Sequence, residues 1–280
     1  FKVNDSDGQQ RIYGSYANAA KYASDGVVTL LNNYTGAETI NSGNTSMTLD
    51  LNGYTYTYTG SKNIVAVNYS NVTLTVKNGK LVATNENSDG VSMIGTDNDK
   101  NNRGLVFENV EMTVPGETYG IVTNGTENGN SITLIDSVLN VKEGYGIYFP
   151  SDGIVRIENS VINAKYVGVQ MCAGSLEITG DKTEINVTGE PKEKNENDGV
   201  IADGAAISIV EREGYQDLGT VKIENGKFVS ANGVKAVKAY TFSNTDKTEG
   251  NWETAGDVVA VSGGIFSTKV SSALCDDKYI

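Results

Sequence analysis

The sequence predicts an all-β chain wound as a parallel β-helix, a single domain of three sheets and about eight coils. Three observations lead there. Glycine is frequent and proline rare, 32 against 3 in 280 residues, in a chain that is 38% hydrophobic and so has the means to fold. A short motif recurs: apolar-x-apolar-x, then Asn, Asp or Gly. Its copies lie more than twenty residues apart, too far for hairpins, so they must stack in parallel.

The copies are Leu49-x-Leu51-x-Gly53, Leu74-x-Val76-x-Asn78, Leu105-x-Phe107-x-Asn109 and Ile132-x-Leu134-x-Asp136. They continue as Val155-x-Ile157-x-Asn159, Leu176-x-Ile178-x-Gly180, Val221-x-Ile223-x-Asn225 and Val259-x-Val261-x-Gly263. The apolar pair is strand A, with one face buried by period-2 alternation. The last residue turns the corner, because Asn, Asp and Gly tolerate the left-handed conformation. Strand B follows, as in Tyr56 and Tyr58 or Ile162 and Ala164. Strand C often opens with glycine, as in Gly120-Ile121-Val122, Gly146-Ile147-Tyr148 and Gly168-Val169-Gln170. Eight coils at about 4.8 Å make a rod of about 40 Å.

The ends need covers against open strand edges. Residues 1–48 form an N-terminal cap with the first strands: a short helix over 15–23 capped by Ser15 and stopped by Gly26, then a strand over 27–31. Residues 49–266 are the coils. Residues 267–280 form a C-terminal cap, with a short helical plug over 270–275. The start, Phe1-Lys2-Val3-Asn4, is no secretory leader and no initiator Met, so the chain reads as a mature or excised fragment.

Charge narrows function. There are 22 basic and 35 acidic residues, a net −13, and no histidine. Nucleic acid is therefore not an expected partner, and no apolar run is long enough for membrane insertion by this segment. Absent histidine removes His-dependent triads and His-ligated metals. The composition fits an extracellular or bacterial cell-surface setting. Cys172 and Cys275 lie about three coils apart and are expected to be free.

On the helix at 15–23, the stretches Asp25–Leu30 and Leu49–Thr55, the eight corner residues and the ending Val261–Ile280, the chain resembles the right-handed, pectin-lyase-like β-helix superfamily. More narrowly, it resembles β-helix segments of large bacterial surface and adhesin-type proteins. The resemblance implies a right-handed helix. It implies no single activity, since that fold carries lyases, hydrolases and adhesins. The histidine motif and strand Asp-Asp pair of the polygalacturonase type are absent; Asp276-Asp277 lies in the tail.

Strand A is expected to present two outward columns. One runs Asn52, Lys77, Glu108, Ile135, Glu158, Thr179, Glu224, Ser262. The other runs Asp50, Thr75, Val106, Thr133, Arg156, Glu177, Lys222, Ala260. Opposite charges meet across coils, a solvated face rather than a catalytic one. Glu158 and Glu177, with Arg156, are the alternative catalytic set for a polysaccharide lyase or glycoside hydrolase. Calcium is the one cofactor considered, at Asp97 and Asp99, with Asp198, Asp203 and Glu196 as a second set.

The expected role is non-catalytic: adhesion or ligand binding, with glycan or protein as partner, or a stalk. The site is expected on the loops 96–103, 123–130, 211–219 and 243–256, which would project from one edge of the rod. Trp252, Tyr215, Asn124 and Asp246 are its candidate residues, the two aromatics as stacking platforms. Tyr119 and Tyr145 are expected to pack inward beside Ile121 and Ile147. Asn78, Asn109, Asn159 and Asn225 are expected to form an amide ladder.

Overall fold

The computed structural model describes residues 1–95, 101–192 and 199–276. It is an all-β structure with one α-helix, Tyr16–Tyr22, and long parallel sheets, an arrangement compatible with a β-helix.

Row A is parallel throughout, with one register shift between Gly174 and Leu176. It runs from Val27–Thr29 and Met47–Asp50 through the first halves of Thr73–Ala83 and Gly104–Val114. It continues through Asn130–Ile135, Gly153–Glu158, Gly174–Thr179, Leu218–Ile223 and Val259–Val261. The alternation places every apolar position of the motif inside. Leu49, Leu74, Leu105, Ile132, Val155, Leu176 and Val221 are fully buried, and Phe107, Leu134, Ile157 and Val261 nearly so. Burying such a side chain contributes about 1.5–3 kcal/mol, so repetition along the column makes it the main source of stability.

Row B pairs likewise from Tyr34–Gly36 to Ile265–Phe266. Among the described residues rows A and B share one hydrogen-bonded sheet, and row C forms a second. Three separate sheets were expected. The reason lies at two corners: Thr73–Ala83 and Gly104–Val114 stay paired through the bend, Lys77 with Glu108 and Gly79 with Val110. One left-handed residue in each, Asn78 (φ 57°) and Asn109 (φ 54°), turns the chain without breaking the ladder.

Gly53, Asn78, Asn109, Asp136, Asn159 and Gly180 all have positive φ, as the corner requires. In the last two repeats the strain moves one residue on, to Gly226 (φ 123°) and Gly264 (φ 122°). A glycine follows the corner residue there and takes the conformation at no steric cost. Serines stitch the middle corners: the amide of Val110 donates to Ser137 Oγ at 3.1 Å, and that of Ser137 to Ser160 Oγ at 3.0 Å. Of the expected amide ladder, Asn109 donates to Asn78 at 3.4 Å. A more regular ladder stands on row B, where Asn186 donates to Asn163 at 3.0 Å and Asn163 to Asn140 at 2.8 Å.

The outward columns differ from expectation in the first repeat. Asp50, not Asn52, pairs with Lys77, and Thr48 pairs with Thr75. That corner carries an additional left-handed residue, Asn52 (φ 51°), ahead of Gly53, which displaces the motif against the ladder.

Row C runs from Ile40–Asn41 to Val237–Ser243. Its glycines are explained by backbone approach. A Cβ on Gly146 would lie 2.1 Å from the Gly168 carbonyl oxygen, and one on Gly120 2.6 Å from that of Gly146. Gly146→Ala should therefore cost about 1–3 kcal/mol by overpacking. Thermal unfolding checks this, with a midpoint lowered by ~2–4 °C per kcal/mol; an unchanged midpoint would contradict the close approach.

Antiparallel pairing occurs at the two ends. Lys2–Asn4 pairs with Gln10–Ile12 at the start, and Thr248–Gly250 folds back on Val237–Ser243 at the finish. These hairpins cover the edge rows. Ser15 caps the helix at 3.4 Å from Asn18 N, and Glu38 adds a second cap, its carboxylate accepting from the amides of Tyr16 and Ala17 at 2.9 and 2.8 Å. At the other end Ser272–Leu274 is one 3₁₀ turn with Leu274 buried.

Candidate functional site

The outer face of row C is not solvated in its second half. The segment 199–206 lies across it, buried from Val200 to Gly204. The Gln170 side chain holds it, donating to the Ile201 carbonyl at 3.0 Å and accepting from the Ile201 amide at 2.8 Å. Beneath it is an apolar cluster separate from the main core, including Val122, Tyr145, Tyr148, Cys172, Val210, Tyr240 and Phe242. Tyr119 and Tyr145 belong here rather than to the inner stack, with ring centroids 5.4 Å apart. The ladder pairs Tyr119 with Tyr145 and Ile121 with Ile147 and skips the glycines between them, so simple alternation does not carry across.

Asp203 anchors the polar part. Its carboxylate accepts from Ser208 Oγ at 2.6 Å, Tyr240 OH at 2.9 Å and the Ala205 amide at 3.0 Å. Lys238 Nζ stands 3.6 Å from Asp203 and 3.3 Å from each Glu249 oxygen. The Asp203 side chain is 2% exposed, Lys238 19% and Glu249 35%, so the trio grades from the interior to the surface. Burial, and next the Asp203 carboxylate, push the Tyr240 phenol far up, so it stays a neutral donor.

Beside this trio opens a cavity of about 640 Å³. Trp252, Tyr240, Val237, Lys238, Glu249 and Leu274 are among its walls. Trp252 is half-buried against the core, and its indole N–H is satisfied by Thr254 Oγ1 at 3.1 Å.

The other expected site residues are not brought together with Trp252. Tyr215 lies against the second cluster: the Arg212 guanidinium sits 4.7 Å over its ring, and its hydroxyl meets that of Tyr148 at 3.2 Å. Asn124 organises its own turn, accepting from the Thr126 amide at 3.2 Å. Asp246 is exposed and closes a turn with Ser243. The described parts of three of the loops meet one another. Gln216 reaches back to the carbonyls of Gly125 and Glu127 at 3.2 and 3.1 Å. Arg103 and Glu127 are buried together, 3.3 Å apart. Hydrogen bonding to exposed backbone draws these loops down onto the stack.

Arg156 Nε donates to Glu177 at 3.0 Å, an exposed pair on row A, while Glu158 stands in the neighbouring column beside Ile135 and Thr179. None of the three lines the Trp252 cavity. Asp97, Asp99, Glu196 and Asp198 lie outside the described residues. Among the described residues no group of three His, Cys, Asp or Glu side chains is arranged to hold a metal ion. Asp203 faces an ammonium and two hydroxyls, donors rather than fellow metal ligands.

The sequence reading missed Asp203, Lys238, Tyr240 and Glu249 as a unit. The one available signal was the alternation in Val237-Lys238-Ala239-Tyr240, which puts Lys238 and Tyr240 on the same outward face.

Cys172 and Cys275 are both free. Burial pushes the Cys172 thiol up to about 12. Native protein treated with iodoacetamide near pH ~8 should be alkylated at Cys275 alone, since the thiolate is the nucleophile. Peptide mass mapping reads this, and Cys172 should react only after unfolding.

No family model, curated protein or solved structure matches the chain significantly. Among the described residues no helix is long and apolar enough to cross a membrane.

Proposed function

We propose that the chain is a right-handed, three-sided parallel β-helix module of an extracellular bacterial surface protein. In this reading it is non-catalytic and binds its ligand, a glycan or a protein, in the cavity beside Trp252. The parallel pairing of successive strands along rows A, B and C supports the solenoid. The single observation that carries the binding role is the 640 Å³ cavity, walled by the half-buried Trp252 and by a Lys–Asp–Glu trio. Clefts of ~300–1,000 Å³ with a few convergent polar groups are the usual ligand sites.

The enzymatic alternative has less support. Arg156 engages Glu177, and Glu158 sits apart from the cavity. A solid-phase panel of glycans and surface proteins tests the proposal. Capture of one ligand should weaken about tenfold, or ~1.4 kcal/mol, in Trp252→Ala. Release of sugar fragments, lost when one carboxylate is replaced, would reject the non-catalytic reading.

A further inference from the structure

We infer that the ligand of the Trp252 cavity is an uncharged glycan, bound by stacking one hexose ring on Trp252 and bridging its neighbouring hydroxyls to the Lys238–Glu249 pair. This rests on the ligand-binding reading above and names its chemical class.

The argument starts from charge. A polyuronate would need an unengaged cation inside the cavity, and the cations there are largely committed. Lys238 is held by two carboxylates, at 3.6 and 3.3 Å. Lys192 is paired with Glu117 and lies 4.1 Å over the Tyr166 ring. Lys235 is exposed at the rim. Around them the protein carries a net −13, which repels a polyanion at every distance within the screening length. A cationic glycan finds the carboxylates already engaged: Glu249 shares Lys238 with Asp203, and Asp203 is 2% exposed with its oxygens filled by Ser208, Tyr240 and Ala205.

What the wall still offers suits hydroxyls. Glu249 is 35% exposed and retains acceptor capacity, while Lys238 keeps a donor beside it. Adjacent hydroxyls, each both donor and acceptor, match such a pair without bringing in a net charge. Trp252 lines the same cavity, with Val237, Ala255 and Leu274 completing an apolar wall. The apolar face of a hexose fits an aromatic plane. The trio is pre-organised by the buried Asp203, so little ordering cost remains at binding.

Titration calorimetry of the intact chain tests this with cellohexaose, mannohexaose and laminarihexaose as neutral probes. Hexagalacturonate and the glucosamine hexamer serve as charged ones. At least one neutral probe should bind, about tenfold more weakly in Trp252→Ala and within about threefold of the parent in Trp252→Phe. The charged probes should give no heat. Melting curves of both variants show that they are folded, and Trp252→Phe retains the packing should Trp252→Ala unfold. A charged probe binding at least as tightly, and lost in Trp252→Ala, would overturn the neutral class while leaving the cavity as the ligand site. Neutral binding untouched in both variants would overturn the cavity as well. No glycan binding by folded protein would overturn the inference outright.

Discussion

Replacing Asp203 by alanine should destabilise the protein by about 3–5 kcal/mol, the cost of leaving several buried donors without their acceptor. Three donors lose their acceptor at once: Ser208 Oγ, Tyr240 OH and the Ala205 amide. Lys238 keeps only Glu249. The Asp203 carboxylate also fixes the segment 199–206 over the outer face of row C, so its loss should loosen the cavity wall. Denaturant unfolding measures the first effect, and the binding calorimetry the second. Asp203→Asn, which keeps an acceptor but no charge, should lose less stability than Asp203→Ala. Equal stability of the alanine variant and the parent would show that the trio is not a structural anchor.

Phe107→Ala should be as costly, about 3–5 kcal/mol for a large ring deleted from a packed interior. Phe107 lies between Val76 and Leu134 in the inner column of row A and is 2% exposed. Neighbours above and below are held by backbone ladders, so the column cannot close on the gap. The guanidinium midpoint should fall accordingly. The exposed Arg156→Ala, on the same row, should change stability by ~0–1 kcal/mol, because a surface ion pair is screened and entropically costly. A similar cost at both positions would refute the assignment of inner and outer columns.

Much of the architecture was legible because it is local and repeated. Leu105-x-Phe107 and Ile132-x-Leu134 alternate with period two, and the Asn109 and Asp136 that follow them tolerate positive φ. The last two corners were misread by one residue, since Asn225-Gly226 and Gly263-Gly264 each offer two candidates and only the backbone path chooses between them. Tyr119 and Tyr145 were misplaced because alternation was counted across Gly120 and Gly146, which the ladder skips. Trp252 was found as a lone aromatic in a long loop, and its cavity was not. The groups around it, Asp203, Lys238, Tyr240 and Glu249, span nearly fifty residues and meet only when consecutive passages stack.

The amino-acid sequence by itself determined the parallel all-β stacking, the inner apolar columns and six of the corner positions. Each depends on the identity of a few adjacent residues and the two-residue period of a strand. Tertiary structure alone decided which outward residues are covered, where the loops lie down and which charges become neighbours. Those outcomes depend on the segment 199–206 crossing row C and on hydrogen bonds between residues far apart in the chain, and no local pattern encodes such distances.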